Sequence, residues 1–89
     1  MASDHRSTAL EGLRKLRERL QDGAADAAGV EQCEHLIRAV EAFHMEGVRF
    51  RLYGLRRRLA AAGTPGADEL VQLLDDARDA LRAAGFTIR

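Results

Sequence analysis

The chain reads as an all-α protein of three helices, short, long and medium, forming an antiparallel helical bundle that homodimerisation completes. Three observations predict this. Apolar residues recur at three- and four-residue spacing through most of the 89 residues. The large apolar side chains are twelve Leu against four Val, two Ile, three Phe and one Tyr, with no Trp, a set that suits helix packing better than sheets. Pro65 is the single proline, so little else interrupts a helical backbone. A chain this short buries only a modest share of its unfolded surface, and residues 1–89 are expected to form one domain.

Helix 1 is predicted over 8–22. Thr8 and Glu11 make a capping box, and Leu10, Leu13, Leu16 and Leu20 form one apolar face before Gly23 stops the run. Helix 2 is predicted over 27–62, with Asp26 as its cap. Its apolar line runs through Val30, Cys33, Ile37, Val40, His44, Val48, Leu52, Leu55 and Leu59. Thr64 and Pro65 then cap and open helix 3, predicted over 65–84, since the first helical amide needs no partner. Leu70, Leu73, Leu74, Ala77, Leu81 and Ala84 form its buried stripe, and Gly85 ends it.

Helix 2 would be about 50 Å long, close to helices 1 and 3 laid end to end. Helix 1 is therefore expected along its first half and helix 3 along its second. Charge favours that arrangement: a slightly basic helix 1 meets Glu31, Glu34, Glu41 and Glu46, and the later arginines meet Asp68, Glu69, Asp75, Asp76 and Asp79. The apolar arc of helix 2 is wider than the roughly 100° a surface helix needs. The surplus predicts an oligomer interface, most simply a dimer, through Leu36, Val40, Phe43, Gly47, Phe50 and Gly54, the glycines allowing close approach. One segment carries a second reading. Val48, Phe50 and Leu52 alternate with Arg49, Arg51 and Tyr53, as a half-buried strand would, with Phe86-Thr87-Ile88 as its pairing partner.

Composition narrows the function classes. One cysteine, Cys33, leaves no internal disulfide framework or cysteine zinc cluster and points to a reducing compartment. No apolar run approaches the roughly 18 residues that cross a bilayer, and no secretory leader is recognisable, so a cytoplasmic protein without membrane contact is expected. Thirteen Arg to one Lys, with abundant Ala and Gly, suggests a GC-rich bacterial genome. No phosphate-binding glycine loop, nucleophile elbow or cysteine–base pair is present, which argues against an enzyme and names no catalytic residue.

Three constellations carry chemistry. Glu41-Ala-Phe-His44 is a Glu-x-x-His motif, whose members project to one side of a helix and can share a metal. In size and in having one such motif per chain, the sequence resembles half-length ferritin-like proteins. That resemblance implies iron, or zinc in its place, at a subunit interface through Glu41 and His44. Glu11 and Glu18, however, face away from the leucine stripe and supply no further inward carboxylate. His44, Arg51 and Arg58 repeat every seven residues down the middle of the apolar arc and read as a polar seam that fixes register. Arg49, Arg51, Arg56, Arg57 and Arg58, interleaved with Phe50 and Tyr53, form a basic patch for nucleic acid or an acidic protein partner. A formal net charge of zero argues against nucleic acid. The leading expectation is a small non-catalytic helical module that works by protein-protein interaction and oligomerisation, with no cofactor.

Overall fold

The computed structural model describes residues 4–24, 27–61 and 66–88. Among them are four α-helices and no strand: α1 (His5–Arg19), α2 (Ala27–Glu41), α3 (Met45–Ala61) and α4 (Ala67–Ala83), with a π-helical turn, Leu20–Ala24, following α1. The chain is all-helical as expected, but with four helices where three were predicted. Residues 48–53 lie inside α3, so the strand reading of that segment is overturned.

The first helix starts three residues earlier than its predicted box. The Asp4 carboxylate accepts the Arg6 N–H at 3.0 Å and the Ser7 hydroxyl at 3.3 Å, and so does the work of an N-cap. Thr8 is thereby inside the helix, its hydroxyl donating to the Asp4 carbonyl at 3.3 Å. Asp26, Thr64 and Pro65 lie outside the described residues. The last helix follows Gly66, which adopts φ 86° and offers no side-chain cap. It ends at Gly85 (φ 101°), where the Gly85 N–H donates to the Arg82 carbonyl and the Phe86 N–H to the Leu81 carbonyl, both at 3.0 Å. That pair of bonds is a Schellman motif, with glycine in the left-handed position that suits it.

The predicted helix over 27–62 is two helices joined by residues 42–44. The Phe43 N–H donates to the Val40 carbonyl at 3.1 Å and the His44 N–H to the Ala39 carbonyl at 3.0 Å. This is the same motif, but Phe43 occupies the left-handed position at φ 54°. A side chain there costs about 1–2 kcal/mol. The Phe43 ring recovers part of it by stacking on Phe86, with centroids 5.8 Å apart and planes 4° from parallel, while the Arg6 guanidinium sits 4.3 Å from the Phe43 centroid. Stacked rings and exposed cation–π pairs contribute about 0.5–1.5 and 0.5–1 kcal/mol respectively, enough to offset the strain. His44 then opens α3: its Nδ1 accepts the Gly47 N–H at 3.1 Å and its carbonyl accepts the Val48 N–H at 2.9 Å. One residue closes one helix and caps the next.

The break folds α3 back on α2, and each helix packs on two neighbours: α1 on α2 and α4, α3 on α2 and α4. Partners run in opposite directions. Arg6 reaches the Glu41 carbonyl while Cys33 meets Leu13, and on the other side Arg19 pairs with Glu69 while Gly12 faces Ala77. The result is an antiparallel four-helix bundle within one chain. Its core takes Leu10, Leu13 and Leu16 from α1, Cys33, Leu36, Ile37 and Val40 from α2, Val48, Leu52, Leu55 and Leu59 from α3, and Leu74, Ala77 and Leu81 from α4. The wide arc read from the sequence is thus two ordinary stripes on two helices. Leu36 and Val40, predicted at an oligomer interface, are fully buried inside the single chain.

Candidate interaction surface

Among the described residues, four large apolar side chains are exposed, and all belong to the hinge or to α3: Phe43, Met45, Phe50 and Tyr53. Phe50 is 75% and Tyr53 65% exposed, and a three-residue spacing puts them on one side of the helix. The Arg57 guanidinium lies 5.7 Å from the Tyr53 ring centroid. Below them an open groove of about 600 Å³ runs between α3, α4 and the segment 86–88. Phe50, Tyr53 and Ile88 supply apolar wall, Arg49, Arg56 and Arg78 the cations, and Glu46 one carboxylate. The far wall is pinned in place: Phe86 is buried, and Arg82 Nε donates to the Ile88 carbonyl at 3.0 Å.

The charges around this groove are only partly compensated. Arg56 grips Asp75 with two bonds, Nε–H to Oδ1 at 2.9 Å and Nη2–H to Oδ2 at 3.2 Å, and Arg78 approaches the same carboxylate at 3.4 Å. Hydrogen bonding from Arg56 holds the Asp75 carboxyl below its ordinary value and raises the arginine in return. Among the described residues, Arg49 and Arg51 engage no carboxylate, though Arg51 lies away from the groove, on the α2 side with His35, Arg38 and His44, and Arg57 is engaged through its ring contact alone. The neutralisation expected from the last helix therefore reaches Arg56 but not Arg49, Arg51 or Arg57.

Other predicted residues fall elsewhere. Gly47 lies beneath the His44 ring, where an added Cβ would clash with Nδ1, whereas Gly54 has open space around it. His44, Arg51 and Arg58 are all exposed, because the break turns this line out of the core. Glu41 and His44 no longer share a helix. The Glu41 carboxylate pairs with Arg14 at 3.5 Å, and the Nδ1 lone pair of His44 is used by the cap. Among the described residues no group of three or more His, Cys, Asp or Glu could hold a metal. Cys33 is buried, donates to the Leu13 carbonyl at 3.3 Å, and has its thiol pushed up to about 11 by desolvation, with Arg17 opposing and Glu34 adding. No helix of the described residues is long and apolar enough to cross a membrane.

Comparison with protein-family models, curated proteins and solved structures finds no match. The surface must therefore be read from its own chemistry. Sequence reasoning missed Ile88 as a groove wall and Phe86 as the ring under Phe43. A signal for the second existed: an apolar residue directly after a helix-ending glycine commonly packs back on the last turn. Nothing in the sequence marked Arg6 as the cation over Phe43.

Proposed function

We propose that this chain is a non-catalytic protein-protein interaction module that docks an acidic, apolar-faced helical segment of a partner on α3 and the adjoining groove. The observation that carries the reading is the pairing of two exposed aromatic rings, Phe50 and Tyr53, with arginines that lack a carboxylate partner among the described residues. Aromatic residues and arginine dominate binding energy at protein interfaces, and a contiguous exposed apolar patch marks such sites. An acidic partner supplies the missing counter-charges to Arg49 and Arg57. A balanced formal charge of zero favours this over nucleic acid, whose domains carry a net basic footprint.

The chain has one tyrosine and no tryptophan, so its intrinsic fluorescence reports from Tyr53 on this face. The probe is an amphipathic peptide free of Tyr and Trp, with Leu and Phe on one side and Glu on its flanks. Titration is expected to change Tyr53 emission saturably, with affinity that weakens as salt rises and falls about tenfold in Phe50→Ala. Equal binding by the same peptide with Lys for Glu would overturn the charge argument. Binding of oligothymidylate in place of the acidic peptide would transfer the surface to nucleic acid.

A further inference from the structure

The turn over 42–44 is short, strained and built from residues that a helix accepts. Phe43 sits at φ 54°, and neither glycine nor proline occurs between Glu41 and Glu46. Strained short hinges in a helical hairpin favour exchange of halves between copies. We propose that two copies of this chain form a domain-swapped dimer: residues 42–44 become helical, α2 and α3 join into one helix over 27–61, and the α1–α2 half of each copy packs on the α3–α4 half of the other.

The exchange leaves the core unchanged. Contacts of α2 with α3 and of α1 with α4 are re-formed between copies, while those of α1 with α2 and of α3 with α4 stay within a chain. What differs is local. The closed form has the Phe43–Phe86 stack, the Arg6 contact and the His44 cap; the open form releases the left-handed residue and adds the helical hydrogen bonds that the turn interrupts. Leu36, Val40, Phe43 and Gly47 follow each other at four- and three-residue steps, the spacing of a seam between two helices. In the closed chain the first two are buried, while Phe43 is 57% exposed and its neighbour Met45 43%. These two side chains lie where the straightened helices pass one another, so a second copy covers the apolar surface that the hinge leaves open. Because α3, α4 and the segment 86–88 stay together in either form, this inference is independent of the partner proposed above.

The test compares wild type, Phe43→Ala and Phe43→Gly by native mass spectrometry across a concentration series. Alanine keeps the left-handed strain of the closed form and favours the continuous helix; glycine does the reverse. Helix propensity alone separates them by about fivefold per hinge, hence on the order of 25-fold in the dimerisation constant, with Phe43→Ala the stronger dimer. Connectivity is read with Gly12→Cys and Ala77→Cys in a Cys33→Ala background. A Cβ at position 12 lies 3.7 Å from that of Ala77, within disulfide range. Oxidising the dimer fraction is expected to give a covalent dimer on a non-reducing gel. If that buried pair impairs folding, Arg19→Cys and Glu69→Cys, at the surface of the same α1–α4 contact, bridged by a short bis-maleimide, give the same readout. Monomer at every concentration in all three proteins, or a dimer whose cross-links are all intrachain, overturns the proposal.

Discussion

His44 and Gly47 are expected to be energetically coupled, and a double-mutant cycle measures the coupling. Both glycines of α3 carry the usual helix penalty relative to alanine of about 0.8–1.0 kcal/mol. Gly54 has nothing within 4 Å of an added Cβ, so Gly54→Ala should collect that gain and raise the melting temperature by about 4–8 °C. At Gly47 the same methyl would clash with His44 Nδ1 and must displace the ring whose nitrogen accepts the Gly47 N–H. Losing an N-cap costs about 1 kcal/mol, which cancels the propensity gain. Gly47→Ala is therefore expected to be neutral or destabilising in wild type. Once His44→Ala has removed the ring, the same substitution should stabilise by about 0.5–1 kcal/mol. The four proteins are compared by urea denaturation followed at 222 nm, where a coupling energy near 1 kcal/mol stands well above additivity error. Equal stabilisation by Gly47→Ala in both backgrounds would show that the ring does not cap α3.

Two titrations and one turn substitution test the rest of the structure. Asp75 has a depressed carboxyl, so its contribution is present above its unfolded value of about 4 and is lost as pH falls through the lower folded value. Asp75→Asn should be less stable than wild type at neutral pH, with the difference closing in acid; a gap independent of pH would mean that the Arg56 bond is not its source. Cys33 shifts the other way. Its thiol stays protonated until about pH 11 in the folded chain, so stability should decline from about pH 8.5, where the unfolded thiol ionises, up to that point. Cys33→Ala should lack this alkaline decline, and in wild type a thiol reagent at pH 8 should react no faster than the chain unfolds. At dilution low enough to keep the chain monomeric, Phe43→Gly should be about 1 kcal/mol more stable than Phe43→Ala, because both lose the ring and only glycine sheds the left-handed strain. Equal melting curves for the two would remove the strain argument.

Much of the fold was legible because it rests on patterns that tertiary context seldom reverses. The leucine face from Leu10 to Leu20, in α1 and the π-helical turn after it, and the α4 residues Leu74, Ala77 and Leu81 are buried as their spacing requires, and Gly85 ends α4. Opposite charges also meet where the sequence suggested, with Arg14 on Glu41 and Arg56 on Asp75. The aromatic part of the candidate surface was legible in part, Phe50 as an interface residue and both rings as members of the arginine cluster. The sequence also showed an apolar surplus, but which residues make it up follows only from the helix boundary: the stripe Val48-Leu52-Leu55-Leu59 is complete without Phe50 and Tyr53, whereas Leu36 and Val40 belong to the core of α2.

The boundary itself was hidden for a physical reason that also bears on function. A helix stop is ordinarily announced by glycine at the left-handed position and a start by Ser, Thr, Asp or Asn. Here Phe43 takes the first role and His44 the second, each held in place by partners distant in sequence or by the geometry of the next turn: Phe86, Arg6 and the bare backbone of Gly47. Locally the residues from Glu41 to Glu46 specify a continuous helix at least as well as a turn. The apolar line across them keeps its three- and four-residue steps from Val40 through His44 to Val48. The turn is therefore chosen by these contacts against a local preference for helix, and that balance is what the proposed exchange of halves, or a single substitution at Phe43, would shift.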